Sequence, residues 1–223
     1  MHHKDFNMPL ENYIRTRYTT ACQMLEDIAI DRQMIQALQN NNINQDMVVR
    51  WMQNYRLFQG ISGETRINIA QSFINFYLER NLHPNENFET EEILIAFTTL
   101  FHSLFEVSNR SWLSATSKLL WCMYPNSIVI YDAFVHRTLI VMQSLDSQLA
   151  KFPRIGTAPS LNRVEDIDNT VKYYMNYQSM VKNILSINTA SLQELRRNHH
   201  VEYPYNIRII DKILWMIGDP NRA

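Results

Sequence analysis

A chain of 223 residues, 46% of them hydrophobic, is long enough for one large domain or two small helical lobes, and its formal net charge of -1 announces no nucleic-acid partner by overall basicity. Its four glycines, Gly60, Gly63, Gly156 and Gly218, are too few for a turn-rich β-sandwich or a glycine-rich phosphate loop. Cys22 and Cys122 stand apart without metal-type spacing, and no run of about 18 apolar residues occurs, so reduced buried thiols, a cytoplasmic location and no membrane span are expected.

Ile14, Tyr18, Cys22, Leu25 and Ile28 recur at helical spacing, which predicts an amphipathic helix from just after Pro9 to about Leu38. The polar run 39–45 reads as a turn, after which Met47, Val48, Trp51, Met52 and Tyr55 mark a helix closed by Gly60 and Gly63. Ile67, Ala70, Phe73, Ile74, Tyr77 and Leu78 repeat the spacing until residues 82–89, with Pro84, break it. A further helix is expected over about 90–105, and a short one over 111–123, ended by Tyr124-Pro125-Asn126-Ser127. The segment 128–132, IVIYD, is β-branched and apolar but short, and reads as an extended connector. Asp132 suits the N-cap of a helix carrying Val135, Leu139 and Met142. Pro153, Gly156 and Pro159 make 152–160 a hinge or long loop, and helices resume at about Val164 and Asn206. The expected fold is all-α, a single domain over 1–223 whose lobes divide near 108–111.

Chemistry concentrates in 111–139. Lys118 lies on one helix, and Asp132 begins the next after a reversal. An aspartate at a helix N-terminus is held ionised by the dipole and the open N–H groups, so it can face developing positive charge. A lysine in a dry pocket loses proton affinity and becomes an amine nucleophile. Together they describe a site that cleaves a bond through a cationic intermediate.

On these residues the chain resembles the helix-hairpin-helix DNA glycosylase superfamily, especially its 8-oxoguanine glycosylase-like branch. Lys118 in S-A-T-S-K-L-L resembles the hairpin lysine, and Ile130-Tyr131-Asp132 resembles the apolar pair and catalytic aspartate. Asp132-Ala133-Phe134-Val135-His136-Arg137 is similar to the family's Asp-x-x-(Ile/Val)-x-Arg pattern, with Arg137 as the matching arginine. Asn40-Asn41-Asn42-Ile43 is similar to the branch's asparagine run, which fills the gap left by an extruded base. The family's glycine-bearing turn is replaced by Trp112-Leu113-Ser114-Ala115-Thr116-Ser117, where hydroxyls of Ser114, Thr116 and Ser117 would hold phosphate instead.

The resemblance implies a two-lobed fold with a cleft between the lobes, acting on double-stranded DNA with an extruded nucleotide. It implies hydrolysis of the N-glycosidic bond of a damaged or modified base, with Asp132 stabilising the oxocarbenium sugar or orienting water. Lys118 would add lyase activity through a Schiff base or else bind phosphate. Asn42, Trp112, Ser114, Ser117, Tyr131, Arg137 and Trp215 are the expected DNA and substrate contacts. No metal or organic cofactor is implied, and a monomer is favoured. Similar short chains occur among bacterial anti-phage proteins, which suggests modified phage DNA as a substrate.

Plainer roles compete for the same residues. Asp132 can be a helix cap alone, Lys118 an ion-paired lysine, Asn42 part of a polar loop and Trp112 a core residue. Arg208, Asp211 and Trp215 share a face of the last helix, either as a pocket wall or as a surface ion pair beside a buried tryptophan. Arg196-Arg197-Asn198-His199-His200 reads as a solvated helix end or a phosphate contact. As a whole the alternative is a non-catalytic helical module, binding nucleic acid or a protein partner.

Overall fold

The computed structural model describes residues 8–80, 88–159, 166–200 and 203–219. Pro84 and Val164, expected at a break and a helix start, lie outside the described residues. Among the described residues regular structure is helical throughout, with ten α-helices, a 3-10 turn at Leu149–Lys151 and no strand. The helices are α1 (Leu10–Glu26), α2 (Ala29–Gln39), α3 (Gln45–Asn54), α4 (Gly63–Arg80), α5 (Thr90–Ser108), α6 (Leu113–Met123), α7 (Ala133–Leu145), α8 (Ile167–Ile187), α9 (Thr189–His199) and α10 (Asn206–Gly218). Among the described residues no helix is long and apolar enough to cross a membrane.

The chain forms two compact units. The first takes Met1–Asp27, Val129–Thr157 and Tyr173–Ala223; the second takes Ile28–Ile128 and Ala158–Lys172. The single helix expected after Pro9 is therefore two helices. It breaks at Asp27 and Ile28, where Ile28 leaves helical geometry at φ -85 and ψ 70 and the chain passes from one unit to the other.

In the first unit α10 packs against both α7 and α1. Its isoleucines and Leu214 are buried, as are Val135 and Leu139 on α7 and Ile14 and Tyr18 on α1. The α7–α10 approach is close because Gly218 ends α10. A Cβ there would run into the Phe134 carbonyl oxygen and Thr138 Oγ1. Thr138 also donates its hydroxyl to the Leu214 carbonyl at 2.8 Å, tying the two helices through a buried polar contact.

In the second unit α5 packs against α4 and α6 through Phe97, Leu100, Phe101 and Leu104, all fully buried. Asp31 on α2 is buried as well, and accepts from Trp51 Nε1 at 2.9 Å and the Tyr55 hydroxyl at 2.6 Å. The asparagine run between α2 and α3 has local structural duties. Asn41 takes the left-handed conformation at φ 52 that ends α2, and its Oδ1 accepts from Tyr77. Asn44 caps α3 by accepting from Met47 N–H at 3.0 Å. Neither Cys22 nor Cys122 is in a disulfide, both are buried, and burial pushes the Cys22 thiol up to about 11.

Replacing Gly218 by alanine forces α7 and α10 apart and is expected to destabilise the chain by about 1–3 kcal/mol. Urea denaturation checks this, as a lowered midpoint with an unchanged slope.

Candidate functional site

Asp132 sits at the end of the extended segment between α6 and α7, whose residues Ile128, Val129 and Ile130 are buried. Ile128 N–H is bonded to the Tyr124 carbonyl at 3.0 Å, but a buried stretch without helix or ladder has further backbone groups that need side-chain or water partners. One face of α8 satisfies three of them. Tyr174 donates its hydroxyl to the Val129 carbonyl at 2.9 Å, Gln178 Oε1 accepts from Val129 N–H at 3.2 Å, and Tyr177 donates to the Ile130 carbonyl at 3.0 Å. The Tyr174 hydroxyl also lies 2.7 Å from Gln178 Oε1, so the two side chains brace each other.

This support delivers Asp132 to the start of α7 in extended geometry, where its Oδ1 accepts from Phe134 N–H at 2.8 Å. The residue is half-buried, and among the described residues Oδ2 accepts no hydrogen bond. Aromatic rings gather beside it. Tyr131 meets Tyr177 edge-on at 5.1 Å and Tyr173 at 5.9 Å, and the His136 ring lies 5.7 Å from Tyr173.

Burial raises the Tyr131 and Tyr173 phenols above their ordinary range. It raises Tyr177 well above, helped by the charges of Asp211 and Asp132. At neutral pH these three phenols are therefore uncharged.

The last helix corrects one sequence expectation. Arg208 and Asp211 form a buried ion pair, with side chains 8% and 2% exposed, while Trp215 is only half-buried. The pair is thus internal and the tryptophan only partly covered, the reverse of a surface pair beside a core tryptophan. Trp215 meets Phe134 edge-on at 5.9 Å and carries Lys212 Nζ over its ring at 3.9 Å. Arg137 is exposed, with its guanidinium 5.3 Å from the Phe134 ring. Tyr131, Asp132, Arg137 and Trp215 therefore gather about the first turns of α7, within the first unit.

Trp112, Ser114, Ser117 and Lys118 belong together at the start of α6, within the second unit. Trp112 is buried and donates Nε1 to Ser108 Oγ at 2.7 Å. Ser117 is buried and donates its hydroxyl to the Ser114 carbonyl at 3.0 Å. Lys118 is 5% exposed, donates Nζ to Ser114 Oγ at 2.6 Å and lies 5.8 Å from the Tyr55 ring centroid. Asn42 is exposed on the α2–α3 loop, with its N–H bonded to the Ala37 carbonyl.

Tyr173, Tyr174, Tyr177 and Gln178 were not singled out from sequence. Their signal is the run YYMNYQ within a helix, where tyrosines and a glutamine at three- and four-residue steps present polar tips from an otherwise apolar face. Among the described residues no group of three or more His, Cys, Asp or Glu side chains is placed to hold a metal ion. No family model, curated protein or solved structure matches this chain.

Two outcomes follow from the site's charges. Arg208→Met leaves Asp211 buried without its partner and should cost about 3–5 kcal/mol, whereas the double variant Arg208→Met/Asp211→Leu should recover most of that loss; chemical denaturation of the set checks the order. Unfolded tyrosines ionise near pH about 10, but Tyr131, Tyr173 and Tyr177 stay protonated beyond that in the folded chain. The buried Cys22 thiol, raised to about 11, starts a fall in stability above pH about 9, and above pH about 10 the unfolded state has also lost phenolic protons that the folded state keeps, so the fall should steepen as pH rises further. Urea midpoints measured up to pH about 11 test the sign, and Tyr173→Phe should make the fall shallower.

Proposed function

We propose that this chain is a DNA N-glycosylase that hydrolyses the bond between sugar and a damaged or modified base. The observation that carries it is the half-buried Asp132, its Oδ1 held by the first turn of α7 and its Oδ2 without a hydrogen bond among the described residues. A carboxylate so fixed stabilises the cationic sugar as the glycosidic bond breaks, or orients the water that attacks the anomeric carbon. The bond's electron pair leaves with the base, which takes up a proton.

The half-buried Trp215 ring, edge-on to Phe134, favours a stacked base. The exposed Arg137 suits a phosphate contact. The proposal includes the two-lobed glycosylase-like arrangement, double-stranded DNA with an extruded nucleotide, at an unstacking cost of about a few kcal/mol, and a role against phages carrying modified DNA.

The second reading, a non-catalytic helical module that binds nucleic acid or protein, is favoured by the start of α6. There Ser114 and Ser117 already have bonding partners inside the unit, and Lys118 is engaged by Ser114 and lies against Tyr55.

The experiment incubates the protein with oligonucleotides and genomic DNA bearing varied base modifications and scores released bases and abasic sites. Asparagine caps a helix about as well as aspartate, so Asp132→Asn removes the charge and keeps α7 in place. It should lower base release by about 10²–10⁴-fold with unchanged melting. Wild-type activity in that variant contradicts the role of Asp132, and binding without base release on every substrate selects the second reading. Lyase activity through Lys118 is scored separately by borohydride trapping, where a covalent adduct is expected in the wild type and none in Lys118→Ala.

A further inference from the structure

The turn between α3 and α4 carries a feature that the candidate site does not use. Gln53, Arg56, Phe58, Gln59 and Arg66 line an open hollow of about 240 Å³. Arg66 is anchored there, donating Nε to the Ile61 carbonyl at 2.9 Å with its guanidinium 5.7 Å from the Phe58 ring centroid. A third arginine reaches the same turn from the α5–α6 connection. Arg110 donates Nη1 to the Gln59 carbonyl at 3.0 Å and lies 4.9 Å from the Trp112 ring centroid. Arg56 is exposed, in the left-handed conformation at φ 54.

Among the described residues none of the three arginines pairs with a carboxylate; the ion pairs found are made by Arg15 and Arg208. Glu64 and Glu106, near them in sequence, are both exposed. Backbone carbonyls and aromatic faces fix Arg66 and Arg110 without neutralising them, which leaves further N–H donors for an outside acceptor. Planar guanidinium forks held in this way match phosphate oxygens better than flexible ammonium groups do.

We propose that Arg56, Arg66 and Arg110 form a docking surface for the phosphodiester backbone of duplex DNA. The inference rests on the nucleic-acid partner of the proposed function. It assigns phosphate contacts to a place other than the α6 hydroxyls.

Fluorescence anisotropy with an unmodified duplex oligonucleotide over a range of salt concentrations tests it. Each of Arg56→Gln, Arg66→Gln and Arg110→Gln should reduce the slope of log affinity against log salt by about 0.9. Arg15→Gln should leave the slope unchanged, because Arg15 is already held by Glu11 and Glu194. Arg66 and Arg110 also bind the turn, so melting curves accompany them; exposed Arg56 is the variant least able to disturb the fold. DNA binding by the wild type with the same slope in all three variants overturns the docking surface and leaves the glycosylase assignment standing. Equal, equally salt-dependent binding of polyglutamate also overturns it, and a wild type that binds no duplex overturns both.

Discussion

The buried, non-helical backbone between α6 and α7 is the constraint on which the first unit's site depends. Val129 and Ile130 are removed from water, and their peptide groups have no helical partners, so they need side-chain partners or leave costly unpaired dipoles. Tyr174, Tyr177 and Gln178 supply those partners from consecutive steps of one α8 face. Tyrosine suits the task because its ring joins the apolar core while its hydroxyl reaches the backbone. The result is a rigid approach to α7 that sets where Asp132 begins the helix.

The same neighbourhood sorts its charges. Asp211 is buried and paired with Arg208, and its charge still helps to raise the Tyr177 phenol. The tyrosines keep their protons because burial disfavours phenolate. Asp132, half-buried and bonded through one oxygen to the first turn of α7, stands beside these phenols with the exposed Arg137 on the following turn. Charge of this kind acts more strongly next to a low-dielectric wall than in bulk water.

Local patterns in the chain were enough to place the helices that carry the site, the IVIYD connector and the Asp132 cap, because capping and apolar periodicity act over a few residues. The break at Ile28 was not legible. Apolar spacing runs through it from Leu25, and what separates α1 from α2 is membership in different compact units. Burial of the Arg208–Asp211 pair was equally hidden, since a three-residue spacing looks the same on either face of a helix. The duties of Tyr174, Tyr177 and Gln178 join residues more than forty positions apart, which no local pattern encodes. The asparagine run shows the opposite case, where a motif that invites a ligand has at Asn41 and Asn44 the ordinary work of ending one helix and starting the next.

The central claim is electrostatic: Asp132 faces positive charge that develops on a sugar. It can be tested without knowing which base is removed, by comparing the affinities of two duplexes that carry a cationic or a neutral mimic of the base-free sugar. The account predicts that the cationic mimic binds tighter by about 10²-fold or more, and that Asp132→Asn abolishes the difference. Equal affinity for the two mimics, or a preference that survives Asp132→Asn, would contradict it.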